Sequence, residues 1–132
     1  VIMEWIKDPK YTNVWYTIKK FGKYQYNVLV IPEQTDKSIK YWIHISSGKK
    51  RKEFEIFEDK ENKSLGGIRA LFWIKEAMYD FPKYFSNRVG NRTEYICIGW
   101  ADSRRRNIYQ RLEKEGFLFM IDNGNKILMK KL

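Results

Sequence analysis

The periodicity of hydrophobic and polar residues separates a strand-rich first half of the chain from a mixed second half. Segments rich in β-branched and aromatic residues, each bounded by turn formers, predict three antiparallel strands: Val14–Ile18, Tyr24–Ile31 and Ile39–Ile45. Phe21-Gly22-Lys23 predicts a short turn between the first two strands, and Pro32–Lys37 predicts a longer one before the third. Glu53–Glu58 alternates as a fourth strand.

The period changes to that of a helix after the polar segment 59–63. From Ile68 to Phe81, apolar residues at positions 68, 71, 72, 74, 78 and 81 repeat at helical spacing. Pro82 predicts the end of this helix, because proline lacks the N–H group that would continue it. Tyr95–Trp100 is apolar at successive positions, which predicts a central strand covered on both faces.

The rest of the chain predicts a second helix and a hairpin. Asp102 or Ser103 can cap this helix and Gly116 ends it. Its apolar stripe comprises Ile108, Tyr109 and Leu112. Segments 117–121 and 126–129 predict a hairpin across the Asn123-Gly124 turn. The order ββββαβαββ predicts a mixed α/β fold of the α+β class. Residues 1–132 would form a single domain with one mixed, mostly antiparallel central sheet.

Composition bounds the setting and the chemistry. The chain has 132 residues, one cysteine and a formal net charge of +10. Cys97 lies in an apolar run, so we expect an inert buried thiol and a cytoplasmic protein. No apolar run approaches the ~20 residues that span a bilayer, so no membrane partner is expected. His44 is the sole histidine, and the sequence supports neither a serine–histidine arrangement nor a metal site.

Two motifs carry candidate chemistry. Lys63-Ser64-Leu65-Gly66-Gly67-Ile68 joins the predicted fourth strand to the first helix, where backbone N–H groups and the helix dipole attract an anion. The second motif is the predicted late helix, which carries Tyr109 and closes with Gly116-Phe117. Together with the element order, these motifs resemble the GCN5-related N-acetyltransferase family with its two N-terminal helices shortened or missing. The resemblance covers about residues 13–131 in topology.

In that family a segment of the form Arg/Gln-x-x-Gly-x-Gly/Ala holds the pyrophosphate of acetyl-coenzyme A. Here Lys63 stands at the basic position and Gly66 at the first glycine, while Ile68 replaces the final small residue. Tyr109 lies seven residues before Gly116, whereas the family usually places its tyrosine four residues before that glycine, where this chain has Leu112.

The resemblance implies an acyl-CoA-dependent N-acetyltransferase-like protein that transfers an acetyl group to an amine of unknown identity. The residues it assigns to the cofactor are Lys63, Ser64, Leu65, Gly66, Gly67, Ile68, Arg104 and Arg105. It makes Tyr109 the candidate acid for the leaving thiolate, and Glu58, at the end of the fourth strand, the candidate base. A core tyrosine and a surface carboxylate are the alternative roles of these two residues.

The positive charge supports a second hypothesis: a non-catalytic basic binding module on the same fold that contacts nucleic acid or an acidic protein partner. Its contact residues would be Lys49, Lys50, Arg51, Lys52, Arg104, Arg105 and Arg106. Aromatic strand residues beside lysines form either a base-stacking platform or, more commonly, part of the core: Tyr16, Tyr24, Tyr26, Tyr41 and Trp42. A homodimer that hides an apolar patch is a further partner hypothesis.

Overall fold

The computed structural model describes residues 3–48, 55–56, 67–85, 90–99 and 111–132. The strands are β1 (Ile6–Lys7), β2 (Trp15–Phe21), β3 (Tyr24–Gln34), β4 (Ser38–Gly48), β5 (Glu55–Ile56), β6 (Thr93–Gly99), β7 (Leu118–Asp122) and β8 (Asn125–Lys131). One long helix, α1 (Gly67–Phe85), precedes β6. Residues 111–114 are also helical and precede β7.

All the strands belong to one sheet. Its path is β1-β2-β3-β4-β6-β8-β7, and β5 pairs with β4 off this path. Only the β4–β6 pairing is parallel, and every other pairing between described strands is antiparallel. The predicted α+β class with a single mixed, mostly antiparallel sheet is therefore confirmed.

Strand β3 extends three residues beyond its predicted end and takes in Pro32. Each residue from Gln25 to Gln34 has a partner on β4, including Pro32 opposite Tyr41. The carbonyl of Pro32 accepts a hydrogen bond from the Asn13 side chain, on the side of β3 that faces away from β4. Because N–H and C=O of one strand residue point the same way, the missing N–H of Pro32 costs the β3–β4 ladder nothing. The turn is therefore shorter than predicted.

Helix α1 continues past Pro82, although the sequence predicts its end there. The last residue, Phe85, is buried and stacks on Phe81 with ring centroids 5.5 Å apart. The Phe85 ring also meets Trp15 edge-on at 5.3 Å. Aromatic burial of this kind offsets the hydrogen bond that a proline removes from a helix interior.

The core lies between α1 and one face of the sheet. Residues paired across neighbouring strands lie on the same face of the sheet. The face that packs against the helix includes Val28, Val30 and Ile43. The buried positions of α1 in this cluster are Ala70, Leu71, Trp73, Ile74, Ala77, Met78, Phe81 and Phe85. Phe72, which the sequence places on the apolar stripe, is 59% exposed. The helix is thus rotated so that position 73 rather than 72 enters the core.

Two turns form as the sequence predicts. Gly116 has φ +100 and follows the helical residues 111–114. Its N–H donates to Glu113 O, and Phe117 N–H donates to Leu112 O, which is the Schellman pattern of a helix end. Leu112 and Phe117 are both buried. In the β7–β8 hairpin, Asn123 and Gly124 both have positive φ, as a type I′ turn requires.

Candidate functional site

The neighbour of strand β4 changes along its length. Ser38 to Ile43 pair in parallel with Thr93 to Ile98 of β6. Beyond that point β4 continues, and Ser46 pairs instead with Ile56 of β5 in an antiparallel sense. Strands β4 and β6 therefore part after Ile43, and we call this end of the sheet the β4–β6 fork. In open α/β sheets, ligands bind at the carboxyl ends of parallel strands where the chain connections diverge.

Helix α1 begins toward this fork. The connection from β5 to β6 returns the chain from the carboxyl end of β4 to its amino end, and the ring contacts of α1 follow this direction, since Trp73 meets Phe21 and Phe85 meets Tyr41. The first turn of α1 carries no acidic residue, and Arg69 in that turn is exposed. Since the first N–H groups of a helix have no partners within it and this turn has no carboxylate of its own, the terminus electrostatically favours an anion.

Most of the residues assigned from the sequence lie outside the described part of the chain. Only Gly67 and Ile68 of the cofactor set fall within it, in the first turn of α1. The others are the cofactor residues Lys63, Ser64, Leu65, Gly66, Arg104 and Arg105, the catalytic candidates Glu58 and Tyr109, and the basic residues Lys49, Lys50, Arg51, Lys52 and Arg106. The described part of the fork therefore consists of β4, β5, β6 and the start of α1.

His44 follows the last β4 residue that pairs with β6. It is exposed and lies opposite Leu29 of β3. Its register places it on the sheet face opposite to α1, because its neighbour Ile43 enters the core. Sequence reasoning set His44 aside because no catalytic motif surrounds it. Its strand position beside the fork makes it a candidate proton acceptor there.

Cys97 is not available for chemistry at the fork. The side chain is fully buried on β6, opposite Trp42 of β4 and Met129 of β8. Burial raises the pKa of the Cys97 thiol to about 12, since a thiolate in that setting loses its hydration. The expectation of a buried thiol is confirmed, and at neutral pH it stays protonated and non-nucleophilic.

The aromatic platform is divided between the two faces of the sheet. Tyr26 and Tyr41 are completely buried in the core beneath α1, and Tyr16 is also buried. The Tyr41 hydroxyl donates to Glu94, and burial together with that carboxylate raises the pKa of Tyr41 far above 10.0. Tyr24 and Trp42 are half-buried. Three of the five rings are therefore inaccessible to nucleic-acid bases.

An open groove of about 510 Å³ runs along the outer side of α1. Its lining comprises Met3, Phe72, Lys75, Glu76, Tyr79, Asp80 and Lys83. Most of its charges already have partners in the chain. Asp80 accepts from Trp5 Nε1 at 2.8 Å, and Lys75 pairs with Glu115. The Trp5–Asp80 contact across this groove holds the N-terminal segment against α1. Because most of the charged side chains are paired within the chain, the groove shows no charge pattern that would select a ligand.

Two classes of site are absent from the described residues. Among residues 3–48, 55–56, 67–85, 90–99 and 111–132, no group of three or more His, Cys, Asp or Glu side chains could hold a metal ion. Over the same residues, no helix is both long and apolar enough to cross a membrane.

Comparison with protein-family models, with curated proteins and with solved structures gives no match for this chain. The class that the structure defines is thus an α+β fold with one mixed sheet, a single parallel strand pair and a helix crossover between the strands of that pair.

Proposed function

We propose that the protein binds acetyl-coenzyme A or a related acyl donor at the β4–β6 fork and transfers the acyl group to an amine. The observation that carries this proposal is the change of partner along β4, from β6 up to Ile43 to β5 at Ser46. The start of α1 points its N–H groups toward the same end of the sheet, which is the end at which ligands bind in open α/β sheets. The sequence resemblance to N-acetyltransferases, carried by residues 63–68 and by the late helix, supports the same proposal.

The charge at the start of α1 supports a diphosphate ligand. Gly67 and Ile68 lie in a first helical turn that has no acidic side chain. From the sequence, Lys63, Ser64, Leu65 and Gly66 precede this turn and would add N–H groups and one positive charge. Arg104 and Arg105 would supply further positive charge from the second connection. The cofactor itself, when bound, supplies an acyl group activated as a thioester.

The resemblance implies direct transfer to the amine, and the state of the thiol agrees with it. Cys97 is buried and protonated, so it cannot carry the acyl group as an intermediate. A base has to remove a proton from the attacking nitrogen. His44 is the candidate among the described residues, and Glu58 is the candidate from the sequence. Tyr109 would protonate the leaving thiolate.

The second hypothesis, a non-catalytic basic module, is favoured in its protein-binding form. The buried Tyr16, Tyr26 and Tyr41 remove most of the stacking surface that a single-stranded nucleic acid would use. An exposed apolar patch on β7, described below, instead suits a protein partner.

The test is a titration of the protein with acetyl-coenzyme A, followed by calorimetry, in the parent chain and in two variants of one position. Gly67→Asp adds a carboxylate to the first turn of α1. There the negative charge interacts favourably with the positive end of the helix dipole and repels a diphosphate. Gly67→Asn has nearly the same shape and no charge. We expect binding in the parent and in Gly67→Asn, and a loss of about tenfold or more in Gly67→Asp.

Equal affinities of the Asp and Asn variants would place the cofactor elsewhere. Absence of heat in the parent chain at high micromolar acetyl-coenzyme A would reject the acyl-transfer proposal. Mass spectrometry of the purified protein for retained coenzyme A provides an independent measurement of the same point.

A further inference from the structure

Strand β7 carries a run of four exposed apolar side chains, which we call the β7 patch. Leu118 is 68% exposed, Phe119 48%, Met120 39% and Ile121 68%. Strand β7 lies at the end of the sheet path and pairs only with β8 among the described strands. Because successive strand residues project to opposite faces, the patch wraps around this end of the sheet.

The β7 patch lacks the features by which end strands usually avoid contact with other chains. Neither a proline nor a charged residue interrupts the run from Leu118 to Ile121. Contiguous exposed apolar residues on one strand are characteristic of surfaces that bind another polypeptide. Among the other described residues, single exposed aromatic side chains such as Tyr11 do not form a comparable run.

Charges of both signs border the patch, and the exposed positive ones outnumber the acidic ones, Glu113 and Asp122. Lys126 lies directly opposite Ile121 on β8 and is exposed, as is Lys131 near the other end of the hairpin. Arg111 and Lys114 are exposed on the helical turn that leads into β7. The formal net charge of the whole chain, these residues included, is +10. An approaching polypeptide therefore meets an apolar strip within a positive field, which raises the association rate of acidic partners.

We propose that the β7 patch docks an apolar segment of an acidic protein, with acidic residues of that segment facing the bordering lysines and arginines. A second copy of this chain would bring two charges of +10 together, so the field opposes self-association. Phe119 is the one planar ring of the patch, and the aliphatic Leu118 and Ile121 offer no surface on which bases stack, which disfavours a nucleic acid. This inference is independent of acyl-coenzyme A binding at the β4–β6 fork.

The test uses isotope-labelled protein and a synthetic peptide with alternating valine and threonine between two pairs of glutamates. We expect the peptide to shift the amide resonances of residues 118–121, and its affinity to fall as salt is raised. Ile121→Lys should weaken binding by about tenfold or more, while the free energy of unfolding stays within about 0.5 kcal/mol because the side chain is largely exposed. Tyr11→Lys, at an exposed aromatic position outside the patch, is the matched control and should bind normally.

Each other outcome overturns the proposal. A peptide with lysines in place of the glutamates that binds equally well removes the charge argument. A single-stranded oligonucleotide that shifts the same amides identifies a nucleic-acid surface. Concentration-dependent dimerisation in sedimentation equilibrium, abolished by Ile121→Lys, identifies a second copy as the occupant. No shift of residues 118–121 at millimolar peptide rejects the docking surface, whatever the outcome of the acetyl-coenzyme A titration.

Discussion

Lys130 of β8 donates a hydrogen bond to the Tyr79 hydroxyl of α1, with Nζ and Oη 3.0 Å apart. The same ammonium donates to the carbonyl of Glu115 at 2.9 Å, and Glu115 in turn pairs with Lys75 of α1. Lys130 also lies over the ring of Phe117, 5.8 Å from its centroid. One lysine thus joins the sheet, the long helix and the turn that ends the second helical segment.

We expect Lys130→Ala to lower the free energy of unfolding by about 1–3 kcal/mol, because two buried or half-buried acceptors lose their donor. Lys130→Met should recover part of this loss, since its methylenes still cover Phe117. Urea unfolding monitored by fluorescence gives both values. Lys126→Ala is the control, because Lys126 is exposed on the same strand. A Lys126 variant as costly as the Lys130 variant would contradict the assigned contacts.

The second prediction concerns Gly116. Its φ of +100 lies where a side chain is strained, so Gly116→Ala should cost about 1–2 kcal/mol. Crowding is not the cause, since a Cβ there would meet only the Lys130 side chain at an ordinary 3.7 Å. Gly99→Ala is the matched control, with no positive φ and no atom within 4 Å of its Cβ. Equal thermal shifts of the two variants would show that backbone conformation is not the determinant.

The third prediction is a loss of stability at alkaline pH. Burial raises the pKa of the Cys97 thiol from 9.0 to about 12. Between these values the unfolded chain has lost the proton that the folded chain retains, so stability falls as pH rises, by about 1.4 kcal/mol per pH unit. Tyr41, whose pKa is also raised, adds to the decline above pH 10.0. Below pH 9 both groups are protonated in both states and contribute no slope.

Urea unfolding of the parent chain and of Cys97→Ala at pH 8 and pH 11 measures this effect. The decline between these pH values should be smaller in Cys97→Ala by about 2–3 kcal/mol. Ile98→Val is the control, since it alters the neighbouring buried position without removing a titrating group. Its decline should equal that of the parent. Parallel declines in all three proteins would mean that the thiol titrates normally in the folded state.

Local signals predicted the strands and turns that depend on few neighbours. The Asn123-Gly124 turn follows from the two residues that occupy it, and the helix end at Gly116 follows from glycine's access to positive φ. Pro32 and Pro82 misled the sequence analysis because the surrounding structure decides their cost. The backbone nitrogen of Pro32 faces away from β4, so the β3–β4 ladder loses no hydrogen bond. Beyond Pro82, Phe85 gains aromatic contacts when α1 continues.

Long-range features of the fold had no comparable signal. The β1 pairing of Ile6 with Tyr16 is too short to produce a periodic pattern. The Lys75–Glu115–Lys130 contacts join positions that are distant in sequence, and nothing local marks them. The change of partner along β4 depends on where β5 and β6 meet it. His44 gives only a weak signal, as a polar residue at an outward position of an apolar strand.

The last prediction assigns His44 a role in acyl transfer, and it rests on the proposed function. If His44 accepts the proton of the attacking amine, His44→Gln should lower the transfer rate by about 10²–10⁴ and leave acetyl-coenzyme A affinity unchanged. Coenzyme A released in the presence of a polyamine can be followed with a thiol reagent, because the buried Cys97 contributes no background. Lys20→Gln is the control, an exposed polar change on strand β2. Equal rates in the two variants, with tight acetyl-coenzyme A binding in both, would leave Glu58 as the candidate base and exclude His44.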